Sequence, residues 1–258
     1  MFQKRRFKIN AFLNAIRFLT VIPVPGGEKS SLEELGRSTI FFPVVGLIIG
    51  IILAGFNWFL SKFLPVSVTS ALLVAAMAII TGGLHLDGLT DTCDGVFVRR
   101  SPEERLRIMD DSRVGAFGVI GAILIILIKY AALSSLPGVV VSRTLIVSPV
   151  ISRFLMVWTI LFYPCARGEG LGWMFKQGTK PLGFIIALIL TLAMVFFVTG
   201  FYGLAIVAVT WIIISFVAMF FKSRLGGLNG DTYGAVNEIA EALVFIMVAT
   251  LAETHLLG

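Results

Sequence analysis

From residue 39 to residue 252 the chain is a succession of apolar runs, each about the length a helix needs to cross a hydrocarbon layer of roughly 30 Å. A segment in lipid has no water to satisfy its peptide groups, so runs of this kind fold as helices bonded within themselves. The runs fall at about 39–60, 66–84, 114–134, 143–163, 182–200, 203–221 and 235–252, which predicts seven spans. The region 182–221 reads as a tight hairpin turning near Thr199–Gly203. Hydrophobic residues make up 57% of the chain and charged residues 14%, which leaves no stretch for a separate soluble module. The expected fold class is all-α: a polytopic helical bundle forming one integral membrane domain over 1–258. Residues 1–38 form an interfacial amphipathic arm and 39–252 the bundle.

The arm places Phe, Ile and Leu among Lys4, Arg5, Arg6, Lys8 and Arg17, the pattern of a helix lying in the membrane interface. Pro23, Pro25, Gly26 and Gly27 break it, and Ser31-Leu32-Glu33-Glu34 has the spacing of a capping box. A second cap signal, Ser101-Pro102-Glu103-Glu104, opens a short helix in the connection after the second run. No cleavable signal peptide is expected, because the basic start lacks a small-residue cleavage site. Cys93 and Cys165 have neither the spacing of a zinc site nor that of a disulfide framework.

The net charge of +6 is read topologically rather than as a nucleic-acid signal. The arm and the connections 85–113, 164–181 and 222–234 carry Lys and Arg, whereas 135–142, the turn near 200 and the tail after Leu251 carry none. This alternation puts the N-terminus and all four basic segments in the cytoplasm and the C-terminus on the far side.

Those same segments hold the unusual polar residues. In Gly82–Gly95 a histidine, His85, is followed by Asp87, Asp91 and Asp94. In a helix, i, i+4 and i+7 positions share one face. Three carboxylates so close require a cation, and oxygen ligands suit Mg²⁺ or Mn²⁺ bridged to substrate phosphates. A second segment brings Asp110, Asp111 and Arg113, and a third runs from Gly226 through Asp231 to Glu238 and Glu241. Ionisable residues inside a span are costly and point to function, which singles out Glu238, Glu241 and Arg153. Arg153 suits a phosphate or a carboxylate, and an ion pair with Glu238 or Glu241 would account for it equally. His85 reads either as a base toward an attacking hydroxyl or as a donor to an aspartate. Carboxylates for a metal, with Arg113, Arg153 and Arg167 for phosphates, describe a metal-diphosphate site.

Four motifs carry a resemblance. They are His85-x-Asp87-Gly88-x-x-Asp91-x-x-Asp94-Gly95; Met109-Asp110-Asp111-Ser112-Arg113-x-Gly115-x-x-Gly118; Tyr163-Pro164-x-Ala166-Arg167 through Gly170-Leu171-Gly172; and Gly230-Asp231-x-x-Gly234-Ala235-x-x-Glu238-x-x-Glu241. With Phe18-Leu19-Thr20-x-x-Pro23-x-Pro25 in the arm, the chain resembles the cobalamin synthase family (adenosylcobinamide-GDP ribazoletransferase). It departs from the family pattern at Cys165 and at Asn229, where the pattern has Thr; neither change removes an ionisable group.

The resemblance implies that a hydroxyl of α-ribazole, or of its 5′-phosphate, attacks the cobinamide-side phosphorus of adenosylcobinamide-GDP and releases GMP, with Mg²⁺ as cofactor. On that basis Asp87, Asp91, Asp94 and Asp110 are expected to hold the metal. His85, Asp91, Asp111 and Asp231 are expected to serve catalysis, and Arg113, Arg153, Arg167, Glu238 and Glu241 to bind substrate. The resemblance also implies a multi-pass protein of a bacterial or archaeal cytoplasmic membrane. The expected partners are these two substrates and the lipid bilayer; nucleic acid is not expected, and a second copy of the chain is left open. A CDP-alcohol phosphotransferase or a membrane prenyltransferase would use the same physics, although the Asp-Gly-x-x-Ala-Arg spacing of the first is absent. An ion transporter is disfavoured, because no repeat relates the two halves and the acids gather at one membrane face.

Overall fold

The computed structural model describes residues 2–25 and 32–254, with side chains from residue 9 in the first segment and residue 34 in the second. The helices are α1 (Phe2–Leu19), α2 (Leu32–Ser38), α3 (Phe42–Leu60), α4 (Val66–Ile80), α5 (Leu84–Phe97), α6 (Pro102–Met109), α7 (Ala116–Ser135), α8 (Gly138–Phe162), α9 (Gly170–Gly178), α10 (Pro181–Leu225) and α11 (Gly230–Glu253). A 3₁₀ turn, Thr39–Phe41, joins α2 to α3. No strand occurs among the described residues beyond one isolated bridge, Cys165 to Leu228. The cap expected at Ser31 lies outside the described residues, whereas the one at Ser101 forms: the Glu104 amide donates to Ser101 Oγ and the Ser101 amide to Glu104 Oε2.

Five helical stretches among the described residues are long and apolar enough to cross a membrane, and a sixth crossing arises if α4 and α5 are taken as one bent span. One of the five, α10, is itself two crossings. Gly200 adopts φ 65°, ψ −150°, a conformation open to glycine but not to side-chain-bearing residues. There the chain reverses, so that Phe184 and Trp211 meet at 6.3 Å between ring centroids, Phe184 stacking on Phe154 of α8 and Trp211 meeting the same ring edge-on. This is the hairpin expected near Thr199–Gly203.

The second predicted span, 66–84, ends early. Gly82 and Gly83 both take positive φ, and α5 leaves at 88° to α4. Two glycines can hold successive left-handed conformations that break the helix ladder, which hydropathy alone does not register. Accordingly α5 turns sharply away from the axis of α4. Its far end is closed by Arg105 of α6, buried, whose guanidinium donates to the Val96 and Gly95 carbonyls at 2.5 and 3.3 Å, groups a helix C-terminus leaves unbonded.

The hub of the bundle is α8, which is buried along most of its length. It lies against α3 at van der Waals distance: a Cβ on Gly50 would stand 2.6 Å from Ile146 Cα and 2.7 Å from the Leu145 carbonyl. Without a hydrophobic drive between helices in lipid, such close backbone approach is what holds them together.

Candidate active site

A cleft of about 280 Å³ opens where the ends of α5, α6, α8, α9 and α11 meet, lined by His85, Asp87, Asp110, Arg167, Asp231 and Tyr233 among others. Segments far apart in sequence are fixed there by backbone contacts. The Ala166 amide donates to the Leu228 carbonyl and the Leu228 amide to the Pro164 carbonyl, each at 2.8 Å, so the loop bearing Arg167 is tied to the start of α11. Asn229 does the work of the expected threonine. Its Oδ1 accepts from the Thr232 amide at 3.0 Å, capping α11, while its Nδ2 donates to Asp231 Oδ2 at 2.9 Å and aims that carboxylate. Gly88 and Gly234 let α5 lie directly on α11; a Cβ at Gly88 would be 2.8 Å from the Asp231 carbonyl, and one at Gly234 would be 3.2 Å from His85 Cα. Arg167 donates to Asp110 Oδ1 at 2.6 Å and to the Leu106 carbonyl at 2.8 Å.

The electrostatics are dominated by one sign. Burial, and then repulsion from Asp87, Asp231, Asp94 and Asp110, pushes the Asp91 carboxyl up to about 6. Five aspartates from three segments thus share one field, and among the described residues Arg167 is the only Lys or Arg lining the cleft. A set of hard oxygens with too little positive charge fits a divalent cation such as Mg²⁺. Among the described residues, however, no group of three or more His, Cys, Asp or Glu side chains is placed to hold an ion.

The structure gives several of the expected site residues other work. Both Asp94 oxygens are taken: the Gly115 amide donates to one at 2.7 Å and the Gly118 amide to the other at 2.9 Å, so Asp94 caps the N-terminus of α7 from across the interface with α5. An asparagine there would turn an amide toward one of these donors. Asp94→Asn is therefore expected to lower stability by about 1–3 kcal/mol in the absence of any metal, read as an earlier melting transition in chelator. A purely metal-binding role predicts no such shift.

Asp111 and Arg113 sit on the exposed connection before α7 and pair with each other at 2.7 Å, which holds the Asp111 carboxyl down to about 2; neither lines the cleft. Arg153, Glu238 and Glu241 are buried and face one another beneath it. Arg153 bonds Glu241, and Lys129 of α7 reaches both Glu238 and Glu241 at 2.6 Å, closing a neutral quartet of two cations and two anions. Lys129 was missed in the sequence reading. Its signal was present, a lone lysine within the apolar run Ile125–Leu133, as costly there as Arg153 in the next span. His85 is 1% exposed, lines the cleft, and has no hydrogen-bond partner at either ring nitrogen.

A polytopic helical bundle, with acids and one arginine from distant loops gathered at the mouth of its helices, has the form of an integral membrane enzyme. The profile of the cobalamin-5-phosphate synthase family matches residues 11–249, and the chain belongs to that family. Similar proteins are the adenosylcobinamide-GDP ribazoletransferase of Geotalea daltonii, 38% identical over 94% of this chain and 98% of that protein, and that of Roseiflexus sp., 39% identical over 95% and 91%. The Acetivibrio thermocellus protein of the same name is 39% identical over 93% of this chain and 97% of its own. No solved structure matches the chain.

Proposed function

We propose that this protein is an adenosylcobinamide-GDP ribazoletransferase that joins the phosphocobinamide part of adenosylcobinamide-GDP to α-ribazole or its 5′-phosphate. The observation that carries the reading is the convergence of Asp87, Asp110, Asp231, Arg167 and His85 on one cleft, in a chain that shares its family with the transferases above. The acceptor hydroxyl oxygen forms a bond to the cobinamide-side phosphorus, the bond from that phosphorus to the oxygen it shares with GMP breaks, and GMP leaves. The hydroxyl proton passes to a base on the protein.

His85 is suited to that proton. Its ring nitrogens are buried and unpartnered at the cleft wall, so a neutral imidazole has an acceptor to offer. Arg167, held by Asp110 and the Leu106 carbonyl, presents a fixed guanidinium to a phosphate oxygen. Asp87, Asp110 and Asp231 line the cleft, and one or two of them would hold Mg²⁺ together with the diphosphate of the substrate; Asp94 is engaged with α7. When bound, the metal supplies neutralisation of the diphosphate and of the departing GMP. The Lys and Arg of the connections that reach the cleft support a site facing the cytoplasm in a cytoplasmic membrane, by the bias of basic loops toward that side.

The test is GMP release by the purified protein in liposomes given adenosylcobinamide-GDP and α-ribazole. Turnover is expected to need both substrates and Mg²⁺, to stop with chelator and to return when Mg²⁺ is restored. Release of GMP that is indifferent to the acceptor would overturn the transfer, and turnover that persists in chelator would overturn the metal.

A further inference from the structure

One wall of the cleft is the entry into α9, and two side chains on it, Glu169 and Trp173, take no part in holding the fold together. Glu169 precedes the helix in an extended conformation, and its carboxylate makes no capping bond to the helix amides. Among the described residues it has neither an ion pair nor a side-chain hydrogen bond; Arg167, two residues away, is engaged by Asp110 and the Leu106 carbonyl. Trp173 is partly buried and lines the same cleft, and its indole has no ring partner among the described residues. Four places apart, the two lie on one face of α9.

The helix that carries them is firmly held. Gly172 lies against the start of α11, where a Cβ would stand 2.7 Å from the Gly230 nitrogen. Phe175 is buried with its ring centroid 4.5 Å from that of Phe18 and 5.6 Å from that of Phe42, and Lys176 Nζ donates to the Leu161 carbonyl at 2.5 Å. By contrast, a Cβ on Gly168 or Gly170, the two neighbours of Glu169, would meet nothing within 4 Å among the described residues. Glu169 also stands apart from the other acids. After burial, the groups that act on Asp91 and Asp231 are each other's neighbours Asp87, Asp94, Asp110, Asn229 and Arg167, and Glu169 is not among them. The cleft thus has a carboxylate that is outside the aspartate field and without a cation, beside an unstacked indole. Along the backbone that carboxylate is no more than about 7 Å from the guanidinium-bearing Arg167.

We propose that this wall reads the base of the leaving nucleotide as guanine, with Glu169 accepting from its N1–H and 2-amino group and Trp173 stacking on its ring. An ionised carboxylate offers two acceptors and no donor, so its complement is an edge with two adjacent donors. Guanine has such an edge. Adenine sets an acceptor, N1, beside its amino group, hypoxanthine lacks the 2-amino group, and the pyrimidines present no such pair. The indole supplies the flat face that any base can use, and the carboxylate supplies the choice among bases. Arg167 on the same loop takes the phosphate end. This assignment rests on the reading of the cleft as a site for adenosylcobinamide-GDP, and makes Glu169 a specificity-determining residue for that substrate.

The experiment measures the dissociation constants of GDP, IDP and ADP for the full-length protein in detergent with Mg²⁺, by isothermal titration calorimetry. IDP lacks one hydrogen bond to a charged acceptor, so GDP is expected to bind about 10- to 100-fold more tightly than IDP, and ADP more weakly still. Glu169→Gln keeps the size of the side chain and removes its charge. It is expected to bring GDP and IDP to within about threefold of each other. Trp173→Leu is expected to weaken GDP and IDP alike, by about tenfold, with their ratio kept. The quantity read is a ratio of affinities on one preparation, which a loss of folded material does not move. Equal binding of GDP and IDP by the unmodified protein overturns the proposal, as does no binding of GDP, and so does a preference that survives in Glu169→Gln. Transfer without any preference for guanine sinks this assignment and leaves the reaction standing. A preference lost in Glu169→Gln, in a protein that releases no GMP from the two substrates, sinks the reaction and leaves the guanine site.

Discussion

Replacing Lys129 with methionine is expected to destabilise the protein by about 3–5 kcal/mol, enough to lose most of the folded material on extraction. The methionine fills a similar volume, so the effect comes from charge. Glu238 and Glu241 are buried with Lys129 and Arg153 as their only cationic partners among the described ion pairs. Removing one cation leaves a surplus buried anion in a site with little water to solvate it. Adding Glu238→Gln should restore most of the stability, because the remaining Arg153–Glu241 pair is neutral by itself. A thermal or denaturant unfolding series of the two single variants and the double variant measures the coupling. If Lys129→Met melts with the unmodified protein, the quartet does not hold the bundle together.

Replacing Asp231 with asparagine should have the opposite signature. The Asp231 carboxylate lines the cleft, is aimed by Asn229 and lies in the shared field of Asp87, Asp91 and Asp110. Its loss is expected to lower kcat about 10²–10⁴-fold, the range spanned when a positioned charge or proton acceptor is withdrawn from a reacting centre. Stability without metal should hold or rise, since one of several mutually repelling acids has become neutral. Asp87→Asn should behave alike. Stability and GMP release measured on the same preparations separate this from misfolding. A kcat within threefold of the unmodified protein for both variants would remove these residues from the reaction.

The two cases mark the difference between residues whose place in the cleft is legible in the sequence and residues whose place is not. Asp87, Asp110, Asp231, Arg167 and His85 were legible because each belongs to a polar motif at the mouth of an apolar run, and helix ends on one side of a membrane meet. The roles of Asp94, Arg113 and Lys129 were not legible. Asp94 stands three residues from Asp91 on the same helix and differs from it only in lying against the N-terminal amides of α7. Arg113 shares a motif with Asp110, yet the turn before α7 leaves it 87% exposed at its side chain, paired with Asp111. Lys129 could be recognised as costly, but its partners lie 109 and 112 residues away.

What the sequence determined by itself was the solvent of each segment: which runs enter lipid, where they reverse, as at Gly200, and which ends carry charge. Transfer of a side chain into hydrocarbon is a local quantity, written in the residue and its immediate neighbours. Only the tertiary structure decided which carboxylates face the cleft, which cap a neighbouring helix and which are neutralised beneath it. Those choices depend on distances between helices, set here by backbone contacts at Gly50, Gly88 and Gly234 and by the 88° turn at Gly82–Gly83. A charge takes whatever partner the packing brings within reach, and that information is held jointly by segments that are remote along the chain.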